Sequence, residues 1–194
     1  MLSKKPIIIA TQMLDSMMNN PRPTRAEVTD IYYAAISGAD ATMLSGESAQ
    51  GAFSNEAVEV MANVNHEAES NFEYQKAYEQ AYAYVPSANA ETSYVVAKEA
   101  LVNNVKYIFA LSTEGRLIKA LSKFRPKGLI IGLVEKERLV THFGMWYGVY
   151  AQKINSIEKT YSNDASIKEI ANKMGIKNEK VIVATAKDWR YVNV

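Results

Sequence analysis

The sequence predicts an α/β protein in two parts: a pair of strand–helix units over residues 1–70, then a compact α/β domain over residues 91–194 with a mostly parallel sheet flanked by helices. Three observations predict it. The run PIIIA, Pro6–Ala10, is continuously apolar and rich in β-branched side chains, as in a parallel strand buried on both faces. Thr24-x-x-Glu27 forms a capping box, the signature of a helix start. Beyond residue 91, short apolar runs alternate with helix-like segments, the rhythm of successive βα units.

The elements follow in order. The first strand ends in the polar pair Thr11-Gln12, and a polar strand end is where α/β proteins keep their chemistry. Pro21 and Pro23 then interrupt any helix, until the capping box opens one running to Ser37, with Gly38 as its C-terminal cap. A second strand, Ala41–Leu44, leads into MLSGESAQGAF (Met43–Phe53), and a helix follows over Asn55–Asn71. Residues 71–90 are rich in Tyr, Ala, Gln and Glu, break at Pro86-Ser-Ala-Asn89, and read as a linker or helical connection. Next come a helix (Glu91–Asn103), a strand (Tyr107–Leu111), a turn at Thr113-Glu114-Gly115 and a helix (Arg116–Phe124). A strand (Leu129–Val134), a helix (Lys136–Phe143), a weaker strand (Val149–Ile154), a helix (Ala165–Met174) and a strand (Lys180–Ala186) complete the series.

Composition removes several function classes. The 194 residues are 48% hydrophobic and 22% charged, a globular balance, and the net charge of +1 argues against general affinity for nucleic acids or anionic membranes. There is no cysteine, so disulfides, thiolate metal sites and thiol nucleophiles are excluded. No apolar run approaches the roughly 18 residues of a membrane span, and no signal-peptide core opens the chain; a soluble, cytoplasmic protein is expected.

The segment Gly46-Glu47-Ser48-Ala49-Gln50 misses the G-x-S-x-G turn of serine hydrolases by one position, because the second glycine is Gly51. The only histidines, His66 and His142, fall in or beside predicted helices rather than where a triad base is needed. Neither a dinucleotide-binding glycine motif nor a P-loop occurs, and metal-ligand spacing is absent. What remains is a pair of strand ends. If the first two strands are parallel neighbours, Thr11 and Ser45 reach the same carboxyl edge, where hydroxyls either bind phosphate or carboxylate oxygens and relay protons, or merely cap loops and helix starts. Glu47 reads as a helix-start carboxylate that complements the dipole.

KPIIIATQMLDSM (Lys5–Met17), NNPRPTRAEVTD (Asn19–Asp30) and GADATMLSGESAQG (Gly38–Gly51) followed by EAV (Glu56–Val58) resemble the closing portion of the catalytic barrel of pyruvate kinase. STEGRLIKALSKFRPKGLIIGLV (Ser112–Val134) resembles the family's C-terminal domain. The resemblance implies a partial TIM-barrel segment of two βα units (1–70), a connection (71–90) and an effector or assembly domain (91–194). It implies phosphoryl transfer from phosphoenolpyruvate to ADP with Mg2+ and K+, and a homo-oligomer, a tetramer in the family. Thr11 in ATQML matches a threonine contacting substrate near the reacting carbon. Ser45 in MLSGE matches a serine in the proton relay to the enolate. Arg25 matches an arginine at the contact between catalytic domains. Ser112, Thr113, Gly115 and Arg116 fall on the effector turn.

The departures carry expectations of their own. The barrel residues that would hold phosphate and metal, and the catalytic lysine, lie before the segment matched, so no metal ligand is assigned here and the isolated chain is expected to be inactive. In the effector turn Glu114 adds a repelling charge and Leu117 replaces a hydroxyl, while Tyr161–Lys177 supplies neither Trp nor Arg. After Trp189-Arg190 the chain runs directly to Tyr191-Val-Asn-Val194, as though a glycine-rich loop had been replaced by a tight turn. Weak or no fructose 1,6-bisphosphate binding is expected. Two other readings are a stand-alone phosphometabolite-binding module and an oligomerisation module, in which Tyr74–Tyr84 and Met145-Trp146-Tyr147 line a contact or, on the better prior, pack in the core.

Overall fold

The computed structural model describes residues 5–83 and 91–194. The break expected at Pro86–Asn89, and the chain start at Met1, lie outside the described residues. The chain divides into two compact units, Lys5–Glu73 and the described part of Tyr74–Val194.

The first unit contains strand β1 (Ile8–Ala10), helix α1 (Arg25–Ile36), strand β2 (Ala41–Met43), a short helix α2 (Gly46–Ala49) and helix α3 (Ser54–Ser70). The two strands pair in parallel, Ile8 with Ala41, Ile9 with Thr42 and Ala10 with Met43. Helix α1 begins where the capping box places it: the Glu27 amide donates to the Thr24 hydroxyl at 3.3 Å, and the Thr24 amide donates to the Glu27 carboxylate at 2.7 Å. It ends in a Schellman motif, with the Gly38 amide on the Ala35 carbonyl and the Ala39 amide on the Ala34 carbonyl. That ending needs the left-handed backbone that Gly38 supplies at φ +84°. Met13, Leu14, Met17, Ile31, Ala34, Ala57 and Met61 form the core between α1, α3 and the loop after β1.

One expectation fails here. PIIIA is not buried on both faces: Ile7 and Ile8 are 42% and 40% exposed, and Met43 on the neighbouring strand is 44% exposed. The physical reason is the sheet itself. Among the described residues it has two strands, so one face and both edges lack the covering layers that a continuous apolar strand needs.

The second unit opens with α4 (Tyr74–Tyr82) and α5 (Glu91–Val102), followed by β3 (Tyr107–Leu111), α6 (Arg116–Lys123), β4 (Leu129–Val134), α7 (Glu137–His142) and β5 (Val149–Lys153). Helix α8 (Ile157–Ser162), which sequence periodicity did not predict, is followed by α9 (Asp164–Lys173), β6 (Lys180–Ala184) and β7 (Trp189–Asn193). The sheet order is β5-β4-β3-β6-β7, parallel except for β7, which runs antiparallel to β6.

The apolar runs of the central strands explain their burial. Successive side chains alternate faces, so Ile108, Ala110, Ile130 and Val134 enter one core with residues of α4 to α7, while Phe109, Leu111, Ile131 and Leu133 enter the other with Ile167 and Ala171 of α9. Helix α6 buries Leu117, Ile118 and Leu121 along one stripe, each stabilising the fold by about 1.5–3 kcal/mol. Helix α4, in the stretch read as a connection, adds Tyr78 and Ala81 to this core, where Tyr78 packs on Tyr94 and Phe124. Trp146 is buried in the same core while Met145 is exposed, so packing accounts for the former.

Candidate functional site

The carboxyl end of the β1–β2 pair carries the first site. Ala10 pairs with Met43, Thr11 follows Ala10 directly, and Ser45 lies two residues past Met43, so the parallel register delivers both hydroxyl residues to one edge. Both are exposed. Thr11 and Gln12 adopt left-handed backbone in succession, at φ +76° and +52°. For a β-branched residue such as Thr11 this conformation is uncommon and costs about 1–2 kcal/mol. Strain of this kind gathers at sites where the surrounding structure fixes the backbone.

Two carboxylates tie down the loops beside this strand end. Glu47, only 2% exposed, accepts the Leu14 amide on Oε1 at 3.1 Å and the Ser45 amide on Oε2 at 2.8 Å, tying the loop after β1 to the loop after β2. Glu27 accepts the Ser16 amide at 2.7 Å and the Ser16 hydroxyl at 2.6 Å besides its capping bonds to Thr24. Burial raises the pKa of each carboxyl, but the donated hydrogen bonds outweigh it and hold both below the ordinary carboxylate value. Glu47 is thus more than a cap on a short helix. The capping box made the local half of Glu27's role visible; the reach of Glu47 to Leu14, across 33 residues, left no local signal.

Arg25 is the exposed first residue of α1. On the same helix Tyr33 is also exposed.

The second edge belongs to the five-stranded sheet. Strand order reverses between β3 and β6, the position where open α/β sheets bind ligands beyond their carboxyl ends. The turn Ser112–Arg116 sits there. Ser112 is half-buried, Thr113 and Arg116 are exposed, and Gly115 caps α6 in the left-handed region at φ +74°. A Cβ on Gly115 would meet Phe143 Cζ at 2.5 Å, so the turn requires glycine on two counts.

The fold gives the Glu114 carboxylate cationic partners. The β4–α7 loop brings Lys136 onto Glu114 Oε1 and Arg138 to 3.5 Å from Oε2. The hydrogen bond and charge of Lys136, with Arg138 and Arg116 behind it, hold the Glu114 carboxyl below its ordinary value. Its charge is directed at cations rather than into the turn.

The tight turn lies earlier than the sequence suggested: Trp189–Asn193 is one continuous strand, and the β6–β7 turn before it is closed by the Thr185 amide on the Asp188 carbonyl at 2.8 Å. It is pinned to α8 and α9. The Tyr161 hydroxyl donates to Asp188 at 3.0 Å, the Arg190 guanidinium lies 4.3 Å from the Tyr161 ring, and it pairs with Asp164 at 2.7 Å.

Among the described residues no group of three or more His, Asp or Glu side chains is gathered as a metal ion would need. Nor is any described helix long and apolar enough to cross a membrane.

The fold and these two edges define a class: an α/β protein with polar residues at the carboxyl edge of a parallel strand pair, joined in sequence to an open α/β domain with its own ligand edge. Family models sharpen this. Residues 1–58 match the barrel domain of pyruvate kinase and residues 90–193 its alpha/beta domain, and the chain belongs to the pyruvate kinase family. It is 41% identical to the Candida albicans pyruvate kinase over 152 residues, covering 77% of this chain and 30% of that protein. It is 37% identical to the Lactobacillus delbrueckii subsp. bulgaricus pyruvate kinase over 172 residues, covering 84% of this chain and 29% of the relative. The crystal structure of a Cryptosporidium parvum pyruvate kinase superposes with a TM-score of 0.92 at 30% identity, over 99% of this chain and 41% of the other. The chain therefore spans about 30% of the length of the curated relatives it matches.

Proposed function

We propose that this chain is the C-terminal part of a pyruvate kinase, which transfers a phosphoryl group from phosphoenolpyruvate to ADP and yields pyruvate and ATP. Residues 1–70 contribute the end of the catalytic barrel, and residues 91–194 form the effector and assembly domain. The observation that carries the reading is the shared strand end of Thr11 and Ser45, with Thr11 held in a strained conformation. The Cryptosporidium parvum pyruvate kinase has been solved in complex with ADP, and its TM-score with this chain is 0.86.

Thr11 orients the reacting end of the substrate through its hydroxyl. After phosphoryl transfer the enolate must gain a proton on carbon, and the Ser45 hydroxyl hands it on. Neutral hydroxyls suit this edge because they donate hydrogen bonds to a developing oxyanion without a charge that would compete for the phosphate. Mg2+ and K+ belong to the family's chemistry. The described residues offer no carboxylate cluster to hold them, and no step is assigned through them.

The isolated chain lacks activity on this reading. Pure chain is expected to form no pyruvate from phosphoenolpyruvate and ADP, and to regain activity when combined with the preceding barrel segment of a related pyruvate kinase. Thr11→Ala and Ser45→Ala should each abolish the regained activity; full rate in both variants would refute their roles. Arg25, exposed at the start of α1, serves the contact between subunits of a cytoplasmic homotetramer. Arg25→Glu should lower the mass measured by light scattering for the combined protein. Ser112, Thr113, Gly115 and Arg116 form the effector turn, but the pinned β6–β7 turn leaves no loop to close over a sugar bisphosphate. Calorimetry should detect weak or no fructose 1,6-bisphosphate binding, and micromolar affinity would contradict this.

A further inference from the structure

A cleft of about 260 Å3 opens between the first turn of α6 and the length of α7, lined by Glu114, Lys119, Arg138, Leu139 and His142. Its charge is unbalanced. Glu114 is the one carboxylate lining it, and that carboxylate is already taken by Lys136 and Arg138. Among the described residues Lys119 pairs with no carboxylate; its ammonium lies 5.5 Å from the Trp146 ring centroid, which fixes the side chain against the cleft wall. His142 packs edge-on against Phe143 and tilted against Trp146, so the imidazole is also held in place.

The local field agrees with this geometry. Burial, then the positive charges of Lys119 from α6 and Arg138 from α7, disfavour protonation of His142 and depress its basicity. A site that resists a further positive charge favours a negative one. Leu139 is the aliphatic residue among those lining the cleft, and the carbon side of a small ligand can rest on it.

We propose that this cleft binds a phosphate monoester dianion, its oxygens held by Lys119, Arg138 and His142 and its carbon side lying on Leu139. Lys119 supplies a point charge, Arg138 a planar set of donors beyond those spent on Glu114, and His142 a donor that becomes a further positive charge once the anion is present. Apart from Glu114 of the preceding turn the cleft is built from α6 and α7 side chains, and the turn hydroxyls of Ser112 and Thr113 are not among its lining residues. It therefore stands or falls independently of the turn hydroxyls and of the enzymatic reading.

Binding and protonation are linked: an anion that prefers protonated His142 must raise the protonation midpoint of that residue by the same factor as the proton tightens the anion. The chain contains only two histidines, so His66 serves as an internal control. The experiment titrates inorganic phosphate into the whole 194-residue chain at constant ionic strength and follows both imidazoles by NMR across pH 5 to 8. The expected result is a saturable shift at His142 on the order of 1 mM, with its midpoint moved upward and that of His66 unmoved. Lys119→Met, which keeps the stem on Trp146, should weaken binding about tenfold or more, as should Arg138→Gln at a position 69% exposed whose change cannot unfold the core. The proposal is overturned if His142 shows no saturation, if both histidines respond alike, if acetate acts as well as phosphate, or if Thr113→Ala rather than Lys119→Met removes the effect.

Discussion

Removing the Glu47 carboxylate should loosen the strand-end site without disturbing the five-stranded domain. In Glu47→Ala the Leu14 amide, in a fully buried residue, loses its acceptor, and such an orphaned donor costs about 1–3 kcal/mol. The Ser45 amide belongs to an exposed residue and turns to water, so its lost bond costs about 0.5–1 kcal/mol. The sum, about 1.5–4 kcal/mol, lowers amide protection in the Lys5–Glu73 unit by roughly 10- to 900-fold, since 1.36 kcal/mol is a factor of ten. Glu47→Gln keeps one acceptor and turns an NH2 toward the other amide, so it should fall between wild type and Ala. Hydrogen exchange at Leu14 and Met17, compared with Phe109 and Ile131 in the other unit, measures this directly. Unchanged exchange at Leu14 in the Ala variant, or equal loss at Phe109, would refute the reasoning.

Further outcomes follow from the same geometry. Glu27 and Glu47 both have folded pKa values below the ordinary carboxylate value, so the stability they contribute to Lys5–Glu73 is present above pH ~4.5 and is lost as pH falls through the lowered folded values; acid titration followed by exchange or circular dichroism should show this unit weakening first, and the sensitivity should diminish in Glu27→Gln. Thr11→Gly relieves left-handed strain and should stabilise the unit by about 0.5–1 kcal/mol in denaturant melts, while removing the hydroxyl on which the proposed chemistry depends. Gly115→Ala places a methyl against Phe143 at a positive φ, and a loss of about 1–3 kcal/mol should appear as a lower melting temperature of the second unit.

Element order was legible because its signals are local. The capping box at Thr24 and Glu27, the Gly38 ending and the apolar runs at 107–111 and 129–134 each act within a few residues of the sequence that encodes them. The parallel pairing that unites Thr11 with Ser45 was also foreseeable, since a strand-helix-strand unit places successive strands side by side. Helix α8 was missed because Ile157–Ser162 is too short to display a helical period, although Ser156 caps it in the ordinary way.

The sequence by itself determined the family, the order of the strands and of every helix long enough to show a period, and the residue types at both carboxyl edges, because periodicity and capping are read over a turn or two of chain. Tertiary structure alone decided that Ile7 and Ile8 stand exposed, that Glu47 bridges two loops 33 residues apart and that Thr11 and Gln12 are left-handed. It also decided that Lys136 and Arg138 neutralise Glu114, leaving Lys119 and His142 to set the charge of the neighbouring cleft. Each of these depends on groups brought together by chain closure, where a hydrogen bond or a charge acts through space and leaves no pattern along the sequence.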